Sequence, residues 1–258
     1  MKQQRRVWAR EELVLAFNLY CRTPFGHIHR LNPRIIELAN KIERTPSALA
    51  MKMVNFASLD PAQQKRGIKG LQHASCEDKK VWEEYHDNWE RLAMESQIAI
   101  GTLNNELLFE DESDEGHFLL TETERKVKTR LLQNFFRNAV LASYNCTCAI
   151  CGMSLRIMLN ASHIIPWSKD RRRRVDPRNG ICLCALHDRA FDRGVIAISD
   201  KFRIIVSDMT KIKTASRLHQ VGLIEVAGAM ILLPDRFYPD KEALAYHREN
   251  VFMDSRGK

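Results

Sequence analysis

No run of 18 apolar residues occurs anywhere in the 258-residue chain, so no segment reads as a membrane-spanning helix. The basic opening Met1-Lys2-Gln3-Gln4-Arg5-Arg6 leads into no apolar signal core, and a cytoplasmic protein with no membrane partner is expected. No internal repeat is visible, which excludes a solenoid or propeller. Cysteine, by contrast, is well supplied: five of the seven lie between Cys146 and Cys184. In a reducing compartment that clustering favours a metal site over a disulfide framework. Cys21 and Cys76 stand alone and read as small core residues.

Charge is distributed unevenly. The net +8 comprises 16 Lys/Arg against 13 Asp/Glu in residues 1–108, five acids and no base in 109–120, and 24 Lys/Arg against 14 Asp/Glu in 121–258. The basic excess in the last segment suits an approach to phosphates. Glu110-Asp111-Glu112-Ser113-Asp114-Glu115-Gly116 is nearly devoid of apolar residues and reads as a solvated linker. The expected organisation is a helical domain over 1–108, an acidic linker at 109–117 and a second domain over 118–258, with an α+β fold class overall.

Upstream of the linker the pattern is helical. Val14, Phe17 and Cys21 share a face. Asn32-Pro33 and Thr45-Pro46 are start signals for two further helices, the first carrying Ile35, Leu38, Ala39 and Ile42, the second Leu49, Met53 and Phe56. With Trp8 in front, the short connection between them resembles a helix-turn-helix of the Myb-like kind. The face opposite the core would present Ser47, Met51, Val54 and Ser58, none of them a usual base-edge reader. A scaffold or partner-binding role and a DNA-reading role both stay open. A fourth helix is expected to carry Trp82, Tyr85, Trp89 and Leu92 on one stripe.

Downstream, Thr121-x-x-Glu124 signals a capping box. The helix it opens would turn Val127, Leu131, Leu132, Phe135, Phe136 and Ala139 inward and present a basic face to phosphate or to solvent. Val195–Ile198 and Phe202–Val206 read as a hairpin, Ile224–Leu233 as a further strand and Asp240–Phe252 as a closing helix.

The chemistry is concentrated in between. Cys148-Ala149-Ile150-Cys151 and Cys184-Ala185-Leu186-His187 are two ligand pairs of i, i+3 spacing. Together they can close a tetrahedral zinc site, worth on the order of 10 kcal/mol of folding free energy. Cys146 and Cys182, each two residues before a ligand, are the competing choices. Between the pairs lie His163, at the end of the strand-like Met158–Ser162, and Asn179 in the turn Asp176-Pro177-Arg178-Asn179-Gly180. Asp188 directly follows the last ligand.

That order resembles the HNH nuclease superfamily, and in particular bacterial HNH enzymes of the restriction-endonuclease type. The resemblance covers about Thr121–Val206. It implies a zinc-stapled ββα-metal fold and a metal-dependent endonuclease that hydrolyses DNA phosphodiester bonds in defence against foreign DNA, with RNA not excluded. It further implies that His163 is the general base, a role suited to an unperturbed pKa of about 6.5. Asn179 would brace the loop and help hold a catalytic Mg²⁺ or Mn²⁺. Asp188, nine positions on, would be that ion's oxygen ligand. Two departures from the common pattern stand out: Ser162 where a second metal-binding Asp or His is frequent, and Asp188 where His is frequent. Asp192, one helical turn later, is either an additional ligand or a helix-end contact. Arg171, Arg172, Arg173 and Arg174 fall in the loop between the two expected strands and are candidate phosphate contacts. The competing reading is a non-catalytic, zinc-containing nucleic-acid-binding regulator. A dimer is compatible with either, and the sequence leaves the oligomeric state open.

Overall fold

The computed structural model describes residues 6–67, 74–103, 122–211 and 216–253. The acidic stretch 109–117 and the cap residue Thr121 lie outside them. Chain contacts divide the protein into two compact units, Met1–Phe135 and Phe136–Lys258.

The first unit is helical. Helix α1 (Arg10–Cys21) is buried on nearly every side from Leu13 to Cys21 and packs against α3 (Pro46–Leu59), α5 (Cys76–Tyr85) and α6 (Trp89–Leu103). Phe17 sits at the centre, 4.9 Å from the Phe56 ring and 5.3 Å from that of Trp82. The starts of these helices are local chemistry. Asn32 accepts from Arg34 N ahead of α2 (Pro33–Lys41), Thr45 from Ala48 N ahead of α3, and Asp60 from Ala62 N ahead of the short α4 (Pro61–Lys65). In each case a proline takes the first helical position, where its missing N–H costs nothing.

The single expected fourth helix is two. Chain regularity breaks at His86–Asn88, and Asn88 caps α6 by accepting from Arg91 N, its carbonyl receiving Leu92 N. A short polar side chain that competes for backbone N–H groups favours such a boundary over a helix interior. Cys76, expected in the core, is exposed at the start of α5, whereas Cys21 is fully buried.

Helix α3 turns Lys52 and Asn55 inward. The Lys52 ammonium donates to both carboxylate oxygens of Asp78 at 2.8 and 3.1 Å, Asn55 Nδ2 adds a bond at 3.2 Å, and the Trp8 ring lies 5.1 Å from Lys52 Nζ. What α3 leaves at the surface is Ser47 and Met51, with Val54 and Ser58 half-buried.

The second unit carries the site. Helix α7 (Glu122–Ser143) contributes Phe136, Ala139, Val140 and Leu141 to its core. Val127, expected inward on α7, is instead about half exposed; the continuous buried stripe begins only at Leu132. Strand β1 (Leu159–His163) pairs antiparallel with β2 (Gly180–Cys184), Leu159 opposite Cys184 and His163 opposite Gly180. Helix α8 (Ala185–Asp192) follows β2 directly and packs across both strands, giving a ββα unit. A second hairpin joins β3 (Ile196–Ile198) and β4 (Ile204–Val206).

Ile224–Leu233 is not a strand. The short α9 (Arg217–His219) runs into a π-helical segment, Gln220–Ile224. A turn with Gly228 at φ +75° then leads to a single bridge, Arg203 to Met230. Past it, Leu232 N turns to Ala149 O. The left-handed glycine breaks the extended geometry that the apolar run suggested. Helix α10 (Lys241–Asn250), capped by Asp240, closes the unit. No described helix is long and apolar enough to cross a membrane.

Candidate functional site

The loop Cys148–Gly152 is a tight knuckle. Cys148 N donates to Met153 O, Gly152 N donates to Cys148 O, and Gly152 adopts φ +74° to close the turn. Across from it, Cys184 caps α8 and His187 lies one turn into the helix. The Sγ atoms of Cys148, Cys151 and Cys184 and a ring nitrogen of His187 all fall within 4.8 Å of one another. Cys151 and Cys184 sulfurs are 3.8 Å apart, and His187 Nδ1 lies 3.6 Å from Cys148 Sγ and 3.1 Å from Cys184 Sγ. A tetrahedron with metal–sulfur bonds of about 2.3 Å and metal–nitrogen bonds of about 2.0 Å has edges of about 3.8 Å between sulfurs and about 3.5 Å from sulfur to nitrogen. The donor set therefore has the dimensions of a tetrahedral thiolate–imidazole site. His187 donates Nε2–H to Gly222 O at 2.8 Å, which turns Nδ1, the unprotonated nitrogen, toward the three sulfurs. Cys146 and Cys182 are not in the group. Burial pushes the Cys182 thiol up to about 12, so it stays protonated inside the β1–β2 core.

His163 ends β1 beneath α7. Its imidazole is stacked on the Phe136 ring, centroids 3.8 Å apart and planes 10° from parallel, with Trp167 edge-on at 5.7 Å. Nε2 lies 3.0 Å from Arg174 O. A carbonyl can only accept, so Nε2 carries the proton and Nδ1 is the basic nitrogen. Burial holds the His163 pKa below its ordinary value of 6.5, against the opposing effect of that carbonyl, and at neutral pH the ring is the uncharged base.

Asn179 is almost fully buried. Its Oδ1 accepts from Ile165 N at 2.8 Å, and Nδ2 donates to Ile165 O and Arg173 O, each at 3.1 Å. The carboxamide thus hydrogen-bonds backbone groups on both sides of the loop. Asn179 and His163 thereby grip adjacent carbonyls, those of Arg173 and Arg174, and Ile164 N donates to Asn179 O.

Asp188 is half-buried on α8, and Asn160 of β1 donates Nδ2 to its Oδ2 at 2.8 Å. Alternation along β1 puts Ser162 on the same face as Asn160. The Ser162 hydroxyl is buried and has no protein hydrogen-bond partner. Although Asp192 lies at the surface, packing around its carboxyl and then the negative charge of Asp188 raise its pKa above the ordinary carboxylate value.

The arginine run is divided by the structure. Arg173 forms ion pairs with Asp240 at 2.9 Å and Glu242 at 2.8 Å, fastening the loop to α10. Arg174 lies over the Trp167 ring and donates to Trp167 O at 2.6 Å. Arg171 and Arg172 are exposed. Only these two point a guanidinium outward; the other two are spent on holding the loop.

Residues 148–199 match the family model described as HNH endonuclease. This segment is similar to an HNH endonuclease domain. The match spans the knuckle, His163, Asn179, the Cys184–His187 pair and Asp188, and it makes nuclease activity the coarse functional assignment of the domain. No curated protein matches the chain. Several contributors to the HNH site carry no sequence signal. Asn160 finds Asp188 only through the packing of α8 on β1, and Phe136 reaches His163 only through the docking of α7. Gly222 supplies a carbonyl from a segment that reads as featureless. Trp167, four residues after His163, is the one that its proximity in the chain could have flagged.

Proposed function

We propose that the protein is a metal-dependent endonuclease that hydrolyses DNA phosphodiester bonds, with a role in restriction of foreign DNA. The observation that carries the reading is the state of His163: a neutral imidazole with Nε2–H fixed on Arg174 O and Nδ1 open, in a segment matched to a nuclease family. His163 would take a proton from water at Nδ1 as the water oxygen attacks phosphorus in line. The bond from phosphorus to the 3′ oxygen breaks, and that oxygen leaves to take a proton from solvent, giving 5′-phosphate and 3′-hydroxyl ends. Asn179 holds the two halves of the loop together so that the Arg174 carbonyl stays where the imidazole needs it. Asp188 would hold a divalent ion, Mg²⁺ or Mn²⁺, through the oxygen not engaged by Asn160, with Asp192 and Ser162 as the nearby oxygen donors. Such an ion supplies electrostatic stabilisation of the charge that develops on the phosphate. A structural Zn²⁺ at Cys148, Cys151, Cys184 and His187 would staple the knuckle to α8. Arg171 and Arg172 would contact backbone phosphates.

A purely DNA-binding role finds less support. The polar residues of α3 that could read bases, Lys52 and Asn55, are bonded to Asp78 inside the first unit. The test is incubation of purified protein with supercoiled plasmid under Mg²⁺, Mn²⁺ or EDTA. Conversion to nicked or linear plasmid with either ion, absent in EDTA, is expected. Binding with no cleavage under any ion would leave the regulator reading.

A further inference from the structure

The Phe136–His163 contact is closer and more nearly parallel than packing of two core rings requires. Aromatic pairs ordinarily settle with centroids about 4.5–7 Å apart, and here the separation is 3.8 Å with planes 10° apart. Space for this arrangement is made by Gly180, the strand partner of His163. A Cβ at Gly180 would fall 2.4 Å from Val140 Cγ2 and 2.8 Å from Phe136 Cζ, so only glycine lets α7 press its ring down over the end of β1. The imidazole is then confined three ways: by the Phe136 face, by the Trp167 edge at 84°, and by the hydrogen bond to Arg174 O. Trp167 is itself fixed, since its carbonyl receives Arg174 Nε and its ring lies under the Arg174 guanidinium.

We propose that Phe136 is a positioning residue for the nuclease reaction: its ring holds the His163 imidazole in the one orientation that gives Nε2–H to Arg174 O and leaves Nδ1 for the proton of water. The inference rests on the reading of His163 as general base. It adds that the base is set by an aromatic clamp supplied from α7, outside the matched segment. The charged groups on the surrounding elements are turned to other partners. On α7, Arg137 donates to Leu159 O; in the loop, Arg173 faces Asp240 and Glu242, Arg174 faces Trp167, and Asp176 pairs with Arg178. The clamp acts on the ring by contact and by exclusion of water, not through a neighbouring charge.

The experiment compares wild type with Phe136→Leu, which keeps apolar volume and removes the flat face. The ¹⁵N spectrum of the His163 ring, assigned by its loss in His163→Gln, should show a single Nε2–H tautomer in wild type. In Phe136→Leu it should show a mixture of tautomers and titrate closer to 6.5. Single-turnover cleavage at saturating DNA should fall about 10–100-fold, the scale of a small misplacement at a reacting centre. Its acid limb should move toward higher pH, with DNA affinity in EDTA changed by less than about twofold. Should Phe136→Leu fail to fold, Gly180→Ala combined with Val140→Ala tests the same contact. It removes the nearer obstacle and leaves the new methyl against Phe136, so the same spectral and kinetic changes are expected. A wild-type ring spectrum, or a rate loss equal at every pH, would overturn the proposal. Should no DNA be cleaved by the wild type, the reading of His163 as a nuclease base falls, while the spectrum still decides whether Phe136 sets the ring.

Discussion

If the Cys148, Cys151, Cys184 and His187 group holds zinc as proposed, removing that ion should unfold the second unit. The four donor atoms lie within 4.8 Å of one another, close enough for one tetrahedral ion to bind them all. The group joins three pieces that are otherwise held by short elements: the knuckle, the five-residue strand β2 and the eight-residue helix α8. Structural Zn²⁺ sites contribute about 10–16 kcal/mol of apparent binding free energy in small zinc-dependent folds. The net stability of a whole domain is about 5–15 kcal/mol. Loss of the ion therefore removes an amount comparable to everything the unit has. The assay is thermal and urea unfolding followed by tryptophan fluorescence, with and without a strong chelator, beside elemental analysis of protein purified without added metal. About one zinc per chain and a large fall in the unfolding midpoint on chelation are expected. Cys184→Ser should reproduce the fall, and Cys182→Ser, outside the donor group, should keep the zinc. Zinc-free protein with an unchanged midpoint would refute the argument.

Three further outcomes follow from the structure. Asp78→Ala strands the buried Lys52 ammonium and should cost the first unit about 3–5 kcal/mol in urea unfolding, whereas replacing both partners by Lys52→Met with Asp78→Leu should cost far less. Arg171→Gln with Arg172→Gln should weaken DNA binding for every sequence alike and reduce the slope of log K against log salt by about 0.9 for each phosphate no longer neutralised. Arg173→Gln should instead lower the stability of the loop and leave the slope nearly unchanged. His247 is stacked on Phe191 with its Nε2 bonded to Phe191 O, and burial pushes its pKa down to about 4. The unfolded chain, with an ordinary value near 6.5, binds this proton first, so stability is lost as pH falls from about 6.5 to about 4. The loss from this group is about 3 kcal/mol. A His247→Gln variant whose stability falls just as steeply over that window would count against the assignment.

How much of this was legible depended on whether the signal was local. The proline-led starts of α2 and α3 and the closing helix behind Asp240 are written in adjacent residues, the ligand pairs are written in spacing, and the β1–β2 hairpin was expected only from the resemblance to HNH nucleases. The α5–α6 break was not, because Trp82, Tyr85, Trp89 and Leu92 keep a helical period straight across it, and only the capping preference of Asn88 ends the register. Ile224–Leu233 looked extended because it is apolar, yet Gly228 and the neighbouring π-helical turn decide its course. Asn179 could be placed in the loop from its turn composition, but the use of its amide depends on which carbonyls the fold brings within reach. The four arginines are equivalent as sequence. The acidic end of α10 claims Arg173, Trp167 claims Arg174, and two are left at the surface. Phe136 could be read as core from helical spacing; its meeting with His163 is a product of two elements packing together.

The central claim is that His163 acts on water in an HNH nuclease, and His163→Ala tests it most directly. The variant should retain zinc content, fold and DNA affinity, because the residue belongs neither to the metal group nor to the exposed arginines. Metal-dependent plasmid cleavage should fall by about 10²–10⁴-fold, the usual cost of removing a general base. Asp188→Ala, assayed beside it, should lose activity in a way that raised Mg²⁺ or Mn²⁺ partly restores. Cleavage by His163→Ala within tenfold of the wild-type rate would contradict the account.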